Sequence, residues 1–539
     1  MSVPAVSMPS CVGYKSLGEL VDAAGDRFGD RLLWESIEDD SERLTFAQFA
    51  TASRQFANAL LARGVRPGSH VAVMLPNCPA YALAWFALGR LGAVMVPVNT
   101  QYTSRELDYV LRNSDAQFLL IDEECKAVLA GIDGGCSVAA SGIHRLTTRA
   151  GAEGGWEEWV TGHSADKPPD LPPITPALST IQYTSGSTGF PKGCMLGHDY
   201  WLLIGYVRAR QGPAPKRMII DKPLSYMGGK WRLLVCLYAG TTACVARKFS
   251  LSKLFQRLVD FRIDFLSVTD PVAKLESHPG LKQLRFSWIC ASGISPHLHR
   301  QLEEVFSAPV REMYGMTETG STLFVPIETR ELSGSGSCGR PALGRSCRIV
   351  DADGKDVCQG EIGELWVAGP GLLQGYYKNE EATRASFTGQ WFHTGDLFRQ
   401  DALGFYYIQG RIKDSIRRSG ENISALEVES VVATAPGVLE AAAIGVKDAF
   451  RGEEVKVCVV LQPGRTMNDV LPEAIMRHSE TQLAAFKVPR FIEYYRELPH
   501  TSSGKVAKHL LKGDAPAEQG FALFDRSEDA WVRRGEATR

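Results

Sequence analysis

The first 122 residues alternate between two hydrophobic periods. One period places an apolar residue every three to four positions, which is typical of a helix with one buried face; the other gives short continuous apolar runs, typical of buried strands. The helical segments are 17–28, 46–63, 79–91 and 105–113. The strand segments are 71–75, 94–98 and 118–122. This alternation predicts a parallel sheet that is covered by helices on both faces.

The middle of the chain resumes this pattern after an irregular stretch. Residues 131–178 are rich in Gly, Ser and Pro and are predicted to be irregular up to a glycine-rich loop. Helical patterns return at 200–210 and 251–261. Apolar strand segments alternate with them at 218–220, 242–245, 265–268 and 286–290. The sequence therefore predicts an α/β fold for this part of the chain as well.

The pattern changes at Cys347, where strands become shorter and alternate in polarity. Turns at Asp353-Gly354 and Gly360 separate them, which predicts a small barrel or sandwich. From about Lys413, strands at 440–445 and 455–461 mix with helices at 425–435 and 470–483. The tail after Lys512 is polar, and we expect it to be loosely held.

Composition narrows the class of protein. The chain has 539 residues, of which 44% are hydrophobic and 22% charged, so two or three globular domains are expected. A net charge of -2 provides no basic field of the kind that nucleic-acid binding requires. The twelve cysteines are scattered and form no CxxC pair, which indicates reduced thiols rather than disulfides or a metal cluster. Neither a secretory signal nor a membrane span is recognisable, so we expect a cytoplasmic enzyme.

One segment has the composition of a phosphate-binding loop: Tyr183-Thr-Ser-Gly-Ser-Thr-Gly-Phe-Pro-Lys192-Gly193. Glycines allow the backbone to approach a ligand closely, and successive N–H groups with neighbouring hydroxyls suit phosphate oxygens. Lys192 adds a mobile positive charge for the outer phosphates. Because Pro191 precedes Lys192 and Gly193 follows it, no helix is expected to open there as it does after a Walker loop. The alternative interpretation is a Gly/Ser surface linker.

Six further segments follow the loop: Glu312-Met-Tyr-Gly-Met-Thr-Glu-Thr319; Gly375-Tyr-Tyr with Trp391-Phe-His-Thr-Gly-Asp-Leu397; Gly410-Arg-Ile-Lys-Asp-Ser-Ile416 with Ser419-Gly-Glu-Asn-Ile423; and Leu498-Pro-His-Thr-Ser-Ser-Gly-Lys505. In this order they resemble the motifs of the adenylate-forming superfamily, which includes acyl-CoA synthetases, free-standing adenylation domains of peptide synthetases and firefly-type luciferases. The resemblance implies an α/β fold with a large N-terminal domain of βα-layered sheets plus a small barrel over 1–411. It also implies a small mobile α+β C-terminal domain over 412–515, with a polar tail over 516–539.

The resemblance implies a nucleotide site made of three parts. The first is the loop, with Thr184, Ser185, Gly186, Ser187, Thr188, Gly189 and Lys192 around the phosphates. The second flanks the adenine and comprises Ser292, Gly293, Ile294, Tyr314 and Gly315. The third is Asp396, which would accept hydrogen bonds from the ribose hydroxyls, with Arg411 as its charged companion.

The resemblance also implies the catalytic groups. Glu318, with Thr188, would hold Mg²⁺ against the phosphates, and Thr317 would bond the α-phosphate. Lys505 would bridge the carboxylate and the α-phosphate. Lys413 lies at the hinge motif, about which the C-terminal domain would turn between half-reactions.

The acyl side departs from the family pattern. The motif that usually reads Pro-Leu-Phe-His is Pro223-Leu-Ser-Tyr226 here, so any role for a titrating imidazole is lost. The residues expected near the acid or the CoA arm are Tyr226, Met227, Gly228, Lys230 and Gly420. Lys230 and Arg232 either meet an anionic group on the acid or are solvent-facing cations. The ending around Phe524 resembles the tail of carnitine and crotonobetaine CoA ligases, which conflicts with cations beside the substrate.

The sequence therefore predicts an AMP-forming carboxylic acid–CoA ligase that uses ATP, Mg²⁺ and coenzyme A. The acid is left open among short polar acids, dicarboxylic acids and carnitine-like betaines. The alternatives are an enzyme that loads a carrier protein and a non-catalytic nucleotide-binding protein. Retention of Glu318, Asp396 and Lys505 together argues against the last of these. The oligomeric state stays open, with a homodimer as one option.

Overall fold

The structure is a computed structural model that describes most of the chain. The described residues are 12–38, 42–132, 136–149, 155–168, 178–184, 191–268, 278–292, 294, 296–418, 421–448, 450–500, 506–512, 520–527 and 530–532. Contacts divide the chain into two compact units: unit 1 holds residues 1–347 and 367–393, and unit 2 holds 348–366 and 394–539. The domain boundary expected between residues 411 and 412 stays a prediction.

Fourteen α-helices occur in the described residues. They are α1 (Leu17–Phe28), α2 (Phe46–Ala62), α3 (Pro79–Leu91), α4 (Ser104–Asn113), α5 (Ala127–Ala130), α6 (Trp156–Thr161), α7 (His198–Arg208), α8 (Met227–Ala239), α9 (Leu254–Asp260), α10 (Pro296–Phe306), α11 (Glu380–Ala385), α12 (Ala425–Val432), α13 (Pro472–Glu480) and α14 (Lys508–Leu511).

The strands of the first half of the described chain are β1 (Leu32–Ser36), β2 (Arg43–Thr45), β3 (His70–Met74), β4 (Val94–Pro97), β5 (Phe118–Asp122), β6 (Ile143–Leu146), β7 (Leu178–Thr184), β8 (Lys192–Gly197), β9 (Arg217–Ile220), β10 (Thr242–Val245), β11 (Phe265–Val268), β12 (Trp288–Ala291), β13 (Val310–Met316) and β14 (Gly320–Phe324). Those of the second half are β15 (Ser337–Pro341), β16 (Ser346–Val350), β17 (Gly363–Ala368), β18 (Phe387–Thr388), β19 (Trp391–Gln400), β20 (Tyr406–Arg411), β21 (Ile416–Arg418), β22 (Glu421–Ile423), β23 (Val438–Asp448), β24 (Gly452–Leu461), β25 (Phe491–Tyr495), β26 (Gly520–Asp525) and β27 (Ala530–Val532).

Unit 1 contains two layered sheets. One has the order β6-β5-β3-β4-β7-β8, in which β8 is antiparallel to β7 and the other pairs are parallel. In the other, β15-β14-β13-β12-β11-β9-β10-β1-β2 are neighbours in that order, and β9 to β13 run parallel. Parallel strands need crossover connections, and the helices of the sequence supply them. The predicted α/β fold is thereby confirmed.

Local sequence explains where the first helices begin and end. Thr45 caps α2 through a capping box with Gln48, so the helix starts at Phe46 as expected. Gly92 ends α3 with a left-handed backbone, a conformation that glycine adopts without steric cost. Every residue of α3 except Arg90 is buried, so this helix lies inside unit 1 and is covered on all sides.

Unit 2 contains shorter strands and its own core. Strands β16, β17, β19 and β20 are neighbours in that order, and the divisions between the units fall within the first three of them. A further sheet has the order β22-β21-β24-β25-β26-β27, with β23 paired to β24. Helices α12 and α13 pack on it through Val428, Val432 and Ile475. The predicted mixture of strands and helices after Lys413 is confirmed.

Two expectations for irregular segments are corrected. The stretch 131–178 contains strand β6 and helix α6, and Trp156 and Trp159 of α6 are buried. The tail is not wholly loose, because β26 pairs with β25 and Phe524 of β26 packs into the core of unit 2. In both places a few apolar side chains reach a core that local composition does not reveal.

No helix in the described part of the chain has the length and apolar character needed to cross a bilayer. The eleven cysteines of the described residues are free thiols: seven are buried, three are half-buried and one is exposed. Burial raises the pKa of Cys78 to about 12, which keeps this thiol protonated.

Candidate active site

The ends of the candidate phosphate loop are held together by an antiparallel strand pair. Strand β7 ends at Thr184, β8 begins at Lys192, and these two residues lie opposite each other in the pairing. The predicted phosphate ligands Ser185, Gly186, Ser187, Thr188 and Gly189 lie outside the described residues. Because a strand rather than a helix opens at Lys192, the prediction that this is not a Walker loop is confirmed.

Tyr376 connects the loop lysine to the predicted magnesium ligand. Its hydroxyl donates a hydrogen bond of 3.1 Å to Oε1 of Glu318, and the Nζ of Lys192 lies 5.0 Å from the centroid of its ring. Burial raises the pKa of Tyr376, so the phenol keeps its proton and remains a donor. Within unit 1, Tyr376 thus contacts Lys192 through the face of its ring and Glu318 through its hydroxyl.

Glu318 lies at the tip of the hairpin formed by β13 and β14. Thr317, Glu318 and Thr319 form the turn, which the N–H of Thr319 closes by donating to the carbonyl of Met316 at 3.2 Å. A Cβ on Gly315 would lie 2.2 Å from the carbonyl oxygen of Gly320, so only glycine allows the two strands to approach this closely. The predicted Gly315 therefore has a structural reason that is independent of any ligand.

The predicted adenine-binding segment follows β12 at the edge where parallel strands end. The backbone N–H of Ile294 donates to Oε1 of Glu312 at 3.3 Å, and Glu312 lies on the neighbouring β13. Ser292 is exposed, Tyr314 of β13 is buried, and Gly293 lies outside the described residues. Carboxyl ends of parallel strands are where open α/β sheets bind ligands.

The first turn of α8 carries the residues expected on the acyl side. Tyr226 precedes the helix, and its hydroxyl accepts a hydrogen bond of 2.9 Å from Nδ2 of Asn99. The hydroxyl of Tyr200 donates to Sδ of Met227 at 2.9 Å. A Cβ on Gly229 would lie 2.6 Å from the carbonyl oxygen of Pro223, so this glycine lets α8 pack against the preceding turn. Gly228 is half-buried beside Arg232.

Lys230 is fully enclosed by protein. Its side chain is 0% exposed, and its Nζ donates to Oε1 of Gln182 at 3.1 Å. The rings of Tyr81, Trp85 and Trp201 surround the ammonium with their centroids 5.6 to 5.7 Å away. Burial lowers the pKa of Lys230 well below its usual range. The expectation of a solvent-facing lysine is therefore wrong, and a role toward the acid stays a prediction.

In unit 2, Asp396 and Arg411 form the pair that the sequence predicted. They lie opposite each other on β19 and β20, with Nε of Arg411 2.9 Å from Oδ1 of Asp396. The Asp396 carboxylate is almost completely buried. Lys413 is exposed in a single turn of 3₁₀-helix after β20. Gly420 and Lys505 lie outside the described residues, and the roles of all five residues stay predictions.

Comparison with known families decides the class. A model of the family described as AMP-binding enzyme matches residues 21–377, and a model of the AMP-binding enzyme C-terminal domain matches 427–505. The chain belongs to the AMP-binding enzyme family. The motifs that resemble those of adenylate-forming enzymes lie between Thr184 and Lys505.

Two curated relatives of this AMP-binding enzyme are both named for CoA thioester formation. It is 32% identical over 480 residues to feruloyl-CoA synthase of Amycolatopsis sp, covering 86% of this chain and 92% of the relative. It is also 32% identical over 494 residues to sulfoacetate–CoA ligase of Cupriavidus necator, covering 88% of this chain and 94% of the relative.

A solved structure supports the fold. The ATP-bound MatB of Rhodopseudomonas palustris superimposes with a TM-score of 0.82 at 28% identity, covering 92% of this chain and 98% of that one. The predicted α/β architecture with a smaller C-terminal part is thus confirmed.

Several contacts around the candidate site of this AMP-binding enzyme could not be predicted from the sequence. Tyr376 stands in the quoted Gly375-Tyr-Tyr motif, so its position was marked although its bond to Glu318 was not foreseen. Gln182 and Arg208 carry no motif signal, because each meets its partner only after α7, α8 and β7 pack together.

The donor set fits a magnesium ion held partly by a nucleotide. Among the described residues, no group of three His, Cys, Asp or Glu side chains could hold a metal. Mg²⁺ is commonly held by one or two carboxylates together with substrate phosphates. Glu318, whose carboxylate accepts a hydrogen bond from Tyr376 at the hairpin tip, would supply one such carboxylate.

Proposed function

We propose that this AMP-binding enzyme is an acid–CoA ligase that forms AMP and proceeds through an acyl-adenylate. The observation that carries the proposal is the Lys192–Tyr376–Glu318 arrangement, which places a cation and a carboxylate around one buried phenol beside the candidate phosphate loop. Two relatives named as a feruloyl-CoA synthase and a sulfoacetate–CoA ligase, each covered over more than nine-tenths of its length, support it.

In the first step, a carboxylate oxygen of the acid attacks the α-phosphorus of ATP, and pyrophosphate leaves. Two anions must approach each other, so the site has to supply positive charge and hydrogen-bond donors. Lys192 would neutralise the outer phosphates, while Glu318 would hold a Mg²⁺ ion, which would supply further positive charge to the phosphates. Thr317 in the same turn would donate to the α-phosphate, and Lys505 would bridge the two reacting anions.

In the second step, the thiol of CoA attacks the acyl carbon, and AMP leaves with the electrons of the broken acyl–phosphate bond. Lys505 must leave before the thiol can enter, which a rotation about Lys413 would achieve. Gly420, which has no side chain, would leave room for the pantetheine arm. Asp396 would keep the nucleotide bound by accepting hydrogen bonds from the ribose.

The test is pyrophosphate release with ATP and Mg²⁺ across short fatty, aromatic, dicarboxylic, sulfonic and betaine acids, with and without CoA. Acid-dependent release together with acyl-CoA formation would support the ligase. Release without a thioester would instead favour an enzyme that loads a carrier protein. Lys505→Ala is the control variant, because it should lose adenylate formation and retain thiolysis of a supplied acyl-AMP. Equal loss of both half-reactions would contradict that role.

A further inference from the structure

Two buried arginines lie against the ring of Trp231 in unit 1. Arg208, at the end of α7, is 7% exposed, and Arg232 on α8 is 2% exposed. Their guanidinium carbons lie 4.6 Å and 5.0 Å from the centroid of the Trp231 ring. We call Arg208 and Arg232 the arginine pair.

The arginine pair has donors that the protein leaves unused. Nη1 of Arg208 and Nε of Arg232 are buried and have no hydrogen-bond partner among the described residues. The bonds that exist go to neutral groups: Nε of Arg208 donates to Oγ of Ser321 at 2.7 Å, and Nη1 of Arg232 donates to the carbonyl of Gly228 at 2.8 Å. The carboxylate of Asp221 acts electrostatically on Arg232, whereas no carboxylate of the described residues acts on Arg208. Burying charged groups without full pairing is costly, so a further anion would complement the unused donors.

A further unsatisfied side chain lies beside Arg208. Both amide atoms of Gln211 are buried without a hydrogen-bond partner among the described residues. Gln211, Arg208 and Trp231 line the same small cavity, with Phe265 and Trp288 on its apolar side. An amide donor and guanidinium donors next to apolar walls form the kind of surroundings in which an oxyanion is bound strongly.

The arginine pair is close to the candidate site of adenylation. Arg208 donates a hydrogen bond to Ser321. Ser321 stands three residues after Glu318, so the Cα atoms of Ser321 and Glu318 are at most about 11 Å apart. Both guanidiniums act on the thiol of Cys290 in β12, and they oppose the rise in its pKa that burial causes. Ser292, which opens the predicted adenine-binding segment, follows two residues later. These links connect the arginine pair to β12 and β14, the strands that border two parts of the candidate site.

We propose that the arginine pair binds a second anionic group, a carboxylate or a sulfonate, at the far end of a short acid substrate. The inference rests on the proposed ligase function and names the substrate class of that site. A guanidinium keeps its proton at any physiological pH and presents a planar fork that matches two oxygens of such a group. The acid would be activated at one end while the pair holds the other.

A substrate with a trimethylammonium group fits this site poorly. Two buried guanidiniums would repel it in surroundings where charges are weakly screened. Aromatic rings can receive a quaternary ammonium, but the cluster of Tyr81, Trp85 and Trp201 already encloses the side-chain nitrogen of Lys230. The conflict between the buried cations and the carnitine-like ending is thereby decided in favour of an anionic acid.

The first experiment compares matched acids on the full-length protein. Malonate, succinate and sulfoacetate would be set against propionate and butyrate in the ATP-, Mg²⁺- and CoA-dependent assay. We expect kcat/KM to be at least about a hundredfold higher for the best dianionic acid than for its neutral-tailed counterpart, as for other desolvated charge pairs. The carboxylate and sulfonate arms identify which anionic group is bound.

The second experiment substitutes the pair. Arg232→Met and Arg208→Met should each lower kcat/KM for the dianionic acid about a hundredfold, mainly through KM, and leave or raise that for butyrate. Arg232→Lys should restore part of the loss. Arg210→Met is the matched control, because Arg210 is exposed and stacks on Tyr206 at 3.6 Å. An unchanged KM for ATP shows that each variant is folded.

Binding without ATP separates this inference from the ligase proposal. By calorimetry, the wild type should bind the dianionic acid and Arg232→Met should not. Such binding without any pyrophosphate release would uphold the arginine pair and contradict the ligase. Thioester formation from neutral-tailed acids alone, or dianion binding that both methionine variants retain, would overturn the inference and leave the ligase intact.

Discussion

Two buried basic residues of α8, Lys230 and Arg232, stand two residues apart and differ in whether the described residues provide a hydrogen-bond partner for every buried side-chain nitrogen. Lys230 has an acceptor in Gln182 and three aromatic rings around its ammonium. Arg232 stacks on Trp231 beside a second arginine and keeps a buried nitrogen without a partner among the described residues. The protein itself supplies the partners of Lys230, whereas the proposed anion would supply the missing partner of Arg232.

The chemistry of the two side chains explains why the protein tolerates both. A buried lysine can release its proton, and burial lowers the pKa of Lys230 accordingly. An arginine cannot do so in practice, so its charge persists and must be met by oxygens. A buried lysine can thus be part of the core, whereas a buried arginine pair indicates a ligand.

The largest expected effect is a change of substrate preference that occurs on substitution of Arg232 but not of Lys230. The ratio of kcat/KM for succinate to that for butyrate should fall about a hundredfold in Arg232→Met, and by less than about threefold in Lys230→Met. Steady-state kinetics on both variants measures it. If Lys230→Met lost the preference for dianions as well, Lys230 would act on the acid, as its position in the motif first suggested.

A second expectation concerns Gln182, which accepts the hydrogen bond of Lys230. Gln182→Leu removes the oxygen that Lys230 bonds and the donor that reaches the carbonyl of Ser225 at 2.8 Å. The free energy of unfolding should fall by about 2–3 kcal/mol, since buried polar groups lose their partners. Urea denaturation measures this loss, with the exposed Gln256→Leu as control. A loss below about 0.5 kcal/mol would mean that the rings alone satisfy Lys230.

The third expectation is a pH dependence with a defined sign. Because the pKa of Lys230 is lowered in the folded state, the unfolded chain binds more protons between the folded pKa and the usual value of about 10.4. Stability relative to Lys230→Met should therefore rise with pH in this window, by at most about 1.4 kcal/mol per pH unit. Denaturation of both proteins between pH 7 and 10 tests it, and a constant difference would contradict it.

The smallest expected effect lies on the arginine face. Ser321→Ala removes the oxygen that accepts from Nε of Arg208. Arg208 would be less well oriented, and KM for the dianionic acid should rise about fivefold, equivalent to about 1 kcal/mol. Ser321→Thr keeps the hydroxyl and should stay close to the wild type. A rise of KM that is equal for butyrate would show that Ser321 supports the acyl site in general.

Much of the fold could be predicted because its signals are local. Helix α3 was bounded at Pro79 and Leu91 by its proline and its following glycine, and β5 by a continuous apolar run. Helix α6 and strand β26 were missed, because their tryptophans and phenylalanine are held by distant parts of the chain. Hydrophobic period is weak in such short elements.

The candidate site divides in the same way. The positions of Lys192, Glu318 and the Asp396–Arg411 pair could be read from motifs, since neighbours in sequence identify them. The burial of Lys230 could not be predicted from the sequence, because a lysine near the start of a helix is exposed in most proteins. Only the packing of α3, α7 and α8 encloses it.

The sequence by itself determined the order of the motifs, the α/β pattern and the chemistry of the phosphate loop, all of which depend on residues close together in the chain. The tertiary structure decided which buried cations are satisfied. Arg208 and Trp231 come from different helices, and Gln182 and Lys230 are 48 residues apart. Such pairs form only when whole elements pack, because a side chain finds its partner through distance in space rather than along the chain.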